Sequence, residues 1–197
     1  MREIRSLEPK SLAEKLKQTL ANEEKDFSAN DRLYIHQQNR YYIQRILARI
    51  NDYIERQSDM PSHYMEYVTG EGKAKYEIEH IWSNHPEDHT DEFPHSNDFN
   101  DYRNRIGGLL LLPKSFNASY GDLPYSEKLP YYCRHNLLAS SLHPQCYEHN
   151  SGFLAFVKKS GLPFKPYEQF EKSDLDERQD LLRMIAERIW DPELLID

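Results

Sequence analysis

Along much of the chain, apolar residues recur every three or four positions. Leu12, Leu16 and Leu20 form one helical stripe, opened by the capping-box pattern Ser11-Leu12-Ala13-Glu14 and running to about Phe27. Ser28-Ala29-Asn30-Asp31 predicts the start of a second helix, where Ile43, Ile46, Leu47, Ile50, Tyr53 and Ile54 keep the 3.6 period to near Gln57. The opposite face of that helix carries Arg40, Gln44, Arg45 and Arg49. Residues 1–69 therefore predict a helical arm or packed pair, with no chemistry apparent on it.

The rhythm changes after Gly70. Gly70-Glu71-Gly72-Lys73 predicts a turn, and Lys75 to Trp82 alternates charged and apolar residues, as a short strand does. Ser83 to Asn104 is polar throughout and predicts a long loop. Arg105-Ile106-Gly107-Gly108 then leads into Leu109 to Leu112, a second strand stopped by Pro113. Ser115 to Lys128 is turn-rich, and Pro130 precedes a short helix from Tyr131 to Ser140. Two helices follow. One spans Ser151 to Lys159, with Phe153, Leu154, Phe156 and Val157 inward and a stop at Ser160-Gly161. The last is capped by Ser173-Asp174-Leu175-Asp176 and striped by Leu181, Leu182, Ile185 and Ile189. The order predicts an α+β fold, mostly helical, with residues 70–197 forming a second unit or one continuous domain with the arm.

Composition narrows the class. At 197 residues the chain is long enough to bury a core without covalent staples, and 38% hydrophobic against 29% charged residues excludes both a fully disordered chain and a membrane protein. No apolar run reaches membrane-spanning length. No apolar segment follows Met1-Arg2-Glu3-Ile4-Arg5, so a secretory signal is not expected. With only Cys133 and Cys146, a disulfide framework is excluded and a reducing cytoplasm is the expected setting. A net charge of -8 argues against coating nucleic acid by bulk charge, but not against gripping phosphates locally through a metal ion.

The informative stretch runs from Glu77 to Lys128. A strand bearing Glu79-His80, a second apolar strand and then an Asn is the order used by ββα-metal nucleases. Phosphodiester hydrolysis needs a base to take a proton from water and a hard cation to carry charge on phosphate. An imidazole suits the first task, and carboxylate and amide oxygens suit Mg²⁺ or Mn²⁺ in the second. A lone Glu-His pair is ordinarily a surface histidine, and Asn117 alone could be a turn residue or a helix cap. Arg105, Lys114 and Lys128 are of a type more often solvated. The pattern as a whole gives these residues weight.

Residues 77–128 resemble the HNH nuclease segment of the C-terminal domain of GmrSD-type, modification-dependent (type IV) restriction endonucleases. The matching residues are Glu79-His80-Ile81, Gly107-Gly108-Leu109-Leu110-Leu111-Leu112, Asn117 and Lys128. The helix Arg40 to Ile54 and the stretch Leu181 to Trp190 resemble the family's flanking helices. The resemblance implies a small ββα-metal core between N- and C-terminal helices. It implies His80 as general base, Glu79 and Asn117 as ligands of one divalent cation, and Arg105, Lys114 and Lys128 near DNA phosphates. One position departs: Gly108 stands where the family has an Asn that braces the histidine, so Asn104 or another polar group is expected to brace His80.

The implied activity is metal-dependent cleavage of modified phage DNA in a defence system. In that family a nucleotide-hydrolysing domain with an Asp-Gly-Gln-Gln-Arg motif precedes this one. The motif is absent here, so the expected partner is such a domain in a longer protein or a separate subunit. The competing reading is a degenerate site on a non-catalytic DNA-binding or protein-docking domain. Two further groups are weaker candidates. His85, His89 and His95 lie in a polar stretch that reads as solvated loop. Cys133 and Cys146, with His135, His143 and His149, lack zinc-finger spacing, so zinc is not expected.

Overall fold

A computed structural model of the protein describes residues 6–22 and 33–195, leaving aside the side chains of Lys73 and Asn117. Among the described residues the chain is mostly helical around one two-stranded antiparallel sheet, as the α+β expectation required. Helix α1 (Pro9–Asn22) starts at Pro9 rather than at the box expected on Ser11, which falls inside it. Proline's fixed φ suits a first helical position, where its missing N–H costs nothing. The expected run to Phe27 and the start at Ser28–Asp31 lie outside the described residues.

Helix α2 (Arg40–Gln57) begins later than expected and ends where expected. The chain ahead of it is extended and then turned. Tyr34 bridges Arg105, the Ile35 N–H donates to the Asn104 carbonyl at 2.7 Å, and the Ile106 N–H to the Leu33 carbonyl at 2.8 Å. The Asn39 side chain holds that turn by accepting from the His36 N–H and donating to the Tyr34 carbonyl. Such local bonds offer the backbone an alternative to helix.

Strand β1 (Tyr76–His80) pairs antiparallel with β2 (Leu109–Pro113), with Glu79 opposite Leu110 and His80 opposite Leu109. Leu109 to Leu112 are all fully buried, so both faces of β2 are covered. This accounts for an unbroken leucine run in place of alternation. Side-chain Nδ2 of Asn136, ahead of α7 (Leu137–Ser140), donates to the Leu111 carbonyl, and α2 and α7 pack on the hairpin.

Between the strands the expected long loop is not structureless. Pro86–His89 forms a 3-10 turn, and α4 (Ser96–Arg103) is a helix with one fully buried residue, Phe99. With so little apolar periodicity, that helix had no visible signature. His89 is partly buried against aromatic rings rather than freely solvated, contrary to the loop reading. Its ring lies 4.5 Å from Trp82 and 5.2 Å from Phe99, and Nδ1 meets Glu92 at 3.1 Å.

The turn-rich reading of 115–128 and the helix expected over 131–140 also need correction. The chain forms α5 (Lys114–Tyr120), α6 (Tyr125–Tyr132) and α7, with Pro130 inside α6. Two short pieces then lead to the last helix: α8 (Cys146–His149) and α9 (Ser151–Ser160), ended by Gly161 at φ 65°. On α9, Phe153 and Phe156 are buried, whereas Leu154 is 37% exposed rather than inward.

Helix α10 (Lys172–Ile189) is capped by a reciprocal Glu171–Asp174 box rather than by Ser173. It passes so close to the turn before β2 that a Cβ on Gly107 would meet the Leu175 carbonyl at 2.5 Å. Arg178, fully buried, donates to the Gly107 and Leu109 carbonyls, and the Gln179 side chain accepts from the Gly107 N–H. One core holds Ile43, Leu47 and Ile54 of α2 together with β2 and Leu181, Leu182 and Ile185 of α10.

A polar cluster joins α2 to α3 (Tyr64–Thr69). Buried Glu55 accepts from the Tyr67 hydroxyl at 2.7 Å and meets His63 Nδ1 at 3.0 Å. The hydrogen bond to Glu55 raises the His63 pKa above its ordinary 6.5, against the opposing effect of burial. A raised folded-state pKa means the charged pair contributes fully below about 6.5 and is lost as pH climbs through the folded value. His63→Ala should therefore lower the melting temperature at pH 6 and lower it much less at pH 9. Equal losses at both pH values would exclude a charged pair.

Candidate active site

The end of β1 gathers several of the expected residues. Neighbours on a strand point to opposite faces, and Glu79 and His80 find different partners accordingly. Glu79 turns inward to Lys128 of α6, at 2.7 Å. Their side chains are 6% and 0% exposed. The Lys128 ammonium also donates to the His80 carbonyl at 2.9 Å. Burial raises the Glu79 pKa and lowers that of Lys128, with the mutual attraction opposing burial in both. Removal from water is thus the larger effect on each charge.

His80 is partly buried and faces Asn104, just past α4. Its Nε2 lies 2.9 Å from Asn104 Oδ1. An amide oxygen accepts, so Nε2 carries the proton in this assignment and Nδ1 keeps its lone pair. Burial pushes the imidazole pKa down to about 3, with Arg103 the largest charge acting alongside and Arg40 a smaller one. The ring is therefore neutral at physiological pH. Where the related family carries a bracing Asn, a Cβ on Gly108 would meet the Arg103 carbonyl at 3.1 Å and Leu175 at 3.2 Å. The space is filled by backbone and leucine, and the bond to His80 comes from Asn104.

Arg103 was not anticipated. Its Nε donates to the carbonyls of Trp82 at 3.0 Å and Ser83 at 3.1 Å, which aims the guanidinium at the end of β1. Its charge acts on both Glu79 and His80. In the sequence it is one of two arginines in Arg103-Asn104-Arg105, with nothing to mark it from solvated charge. Only the unforeseen helix α4, ending beside the strand, brings it here.

The other expected residues are dispersed. Arg105 pairs with Asp176 of α10 at 3.3 Å and stacks 3.6 Å over Tyr102. Lys114 is exposed just beyond the Tyr76 end of the sheet, about 16 Å along the strand from His80. Asn117 lies on α5, which packs against both strands, but its side chain falls outside the described residues. Next to Trp82 and Ser83 a cleft of about 310 Å³ also runs past His89 and Ser126. Asp88 and Glu168 line it, making it a poor seat for phosphate.

Among the described residues no group of three or more His, Cys, Asp or Glu is arranged to hold a metal ion. Cys133 donates to the Pro130 carbonyl and Cys146 lies against the Ser140 hydroxyl. Glu79 is nevertheless a carboxylate already matched to one cation, the Lys128 ammonium, and α5 brings the backbone of Asn117 to the same hairpin. A hard divalent ion takes carboxylate and amide oxygens, the donor types of Glu79 and Asn117, but it would have to displace the Lys128 ammonium from Glu79. Among the described residues, no helix is long and apolar enough to cross a membrane.

A family model described as "GmrSD restriction endonucleases, C-terminal domain" matches residues 14–185. No curated protein and no solved structure matches the chain.

Proposed function

The chain belongs to the C-terminal domain family of GmrSD restriction endonucleases, and from that premise we propose that it cleaves DNA with His80 as general base. Family membership makes it a nuclease-like domain of a restriction system acting on DNA. The observation that carries the finer reading is the neutral imidazole of His80, held through Nε2 by Asn104 beside the cation Arg103. Nδ1 is then free to take a proton from water as the water attacks phosphorus, while the P–O bond to one sugar oxygen breaks and that oxygen leaves and is protonated from solvent. Arg103, fixed by two backbone carbonyls, holds a non-bridging phosphate oxygen. The phosphate's negative charge offsets the nearby cations and raises the imidazole toward a useful basicity.

A divalent ion, Mg²⁺ or Mn²⁺, would be held by Glu79 and Asn117 and would supply charge stabilisation at the phosphate. Arg105, Lys114 and Lys128 remain the further phosphate contacts implied by the family, Arg105 and Lys128 after leaving their present partners and Lys114 from the far end of the sheet. Modified phage DNA as substrate, a nucleotide-hydrolysing partner domain and a cytoplasmic setting complete the proposal. The alternative, a non-catalytic domain that binds DNA or docks a partner, is favoured by one observation: the Glu79 carboxylate is taken up by Lys128. Incubation with supercoiled plasmid decides between them. Nicking that needs Mg²⁺ or Mn²⁺ and stops with EDTA supports the nuclease. DNA binding without nicking, with the partner domain and nucleotide supplied, supports the alternative.

A further inference from the structure

In a chain of net charge -8, no acidic residue occurs between Asp31 and Asp52. That stretch holds Arg40, Arg45 and Arg49, and three of its tyrosines face solvent: Tyr34 is 49% exposed, Tyr41 58% and Tyr42 66%. The rings are arranged, not scattered. The Arg45 guanidinium lies 3.3 Å over the Tyr41 ring, and Tyr41 meets Tyr42 edge-on at 5.8 Å. Such exposure has no packing rationale, since a buried tyrosine would bury its ring and bond its hydroxyl.

The patch is continuous with the candidate active site. Ile35, beside Tyr34, donates to the carbonyl of Asn104, whose side chain holds His80. The charge of Arg40, at the start of α2, acts on the His80 ring, and Gln44 one turn later donates to the β1 carbonyl of Tyr76 at 3.2 Å. Cations fix a nucleic-acid backbone, while exposed aromatic faces stack on bases that are out of a duplex. A fully paired duplex offers such faces only at its ends.

We propose that the start of α2 and the Tyr34 segment form a platform for an unpaired stretch of DNA, with Arg40 and Arg45 gripping phosphates, Tyr41 and Tyr42 stacking bases, and the strand leading on to His80. This rests on the nuclease reading for the identity of the partner, but its test needs no cleavage. Binding is read by fluorescence anisotropy of a labelled single-stranded oligonucleotide and the matched duplex, in EDTA, with the full chain. Tyr41→Ala/Tyr42→Ala should weaken single-strand binding about tenfold or more and leave duplex binding nearly unchanged. Arg40→Ala/Arg45→Ala should weaken both and flatten their salt dependence. Lys158→Ala/Lys159→Ala, both exposed on α9, should change neither. The proposal fails if the wild-type chain binds neither probe. It fails equally if the tyrosine pair changes nothing, or if Lys158 and Lys159 matter as much as Arg40 and Arg45. A chain that nicks no plasmid but binds through this patch would sink the nuclease reading alone.

Discussion

Changing Lys128 alone to methionine is expected to lower folding stability by about 3–5 kcal/mol, the usual cost of leaving one buried charge without its partner. The Glu79 carboxylate would lose the ammonium at 2.7 Å, and the His80 carbonyl would lose a donor at 2.9 Å. Glu79→Leu alone should cost a similar amount, because the ammonium is then the stranded charge. The double variant is the decisive case. Burial disfavours both charges more than their attraction favours them. An apolar pair of similar volume should therefore restore most of the stability, so the two losses should not add. Urea unfolding of the four proteins measures this. Additive losses would mean that Glu79 and Lys128 make independent contributions, and the pair would not be the unit that holds β1 to α6.

The second large effect is on chemistry. His80→Ala should reduce plasmid nicking by about 10²- to 10⁴-fold, the usual contribution of a positioned base. Undiminished cleavage in that variant would remove His80 from the mechanism. The pH dependence should carry the same signature. The free imidazole titrates near 3, so kcat/KM should not fall as pH is lowered through 6.5. Bound phosphate raises the group, so the acid limb of kcat should lie at higher pH than that of kcat/KM. Stability moves the other way from the His63 case. A folded pKa below 6.5 means the unfolded chain takes up the proton first, so this group's contribution is lost as pH falls from about 6.5 towards 3.

Much of the fold could be read from periodicity. The stripe from Ile43 to Ile54, the leucines before Pro113 and the stop at Gly161 are strong local signals, and the elements lie there. What escaped was decided by contacts far away in sequence. Helix α4 shows one buried residue in eight, so no stripe announces it, and with it went Arg103. Helix α2 starts later than its apolar period suggests because Asn39 spends its side chain on His36 and Tyr34, a choice invisible without the turn. Asn104 was anticipated as a brace from the departure at Gly108, and it lies within bonding distance of His80. Lys128 shows the opposite limit. Its place in the motif is legible, but its burial against Glu79 depends on α6 bringing it to the end of β1.

The tie from Arg178 to the Gly107 and Leu109 carbonyls has a consequence for synthesis of the protein. A lone two-stranded hairpin is marginal in water. Here the strand opposite His80 is secured by a residue about seventy positions later. The first two turns of α10 must therefore be made before the end of the sheet beside His80 can set. On the nuclease reading proposed above, the nascent chain would until then carry the motif residues without the geometry to cut.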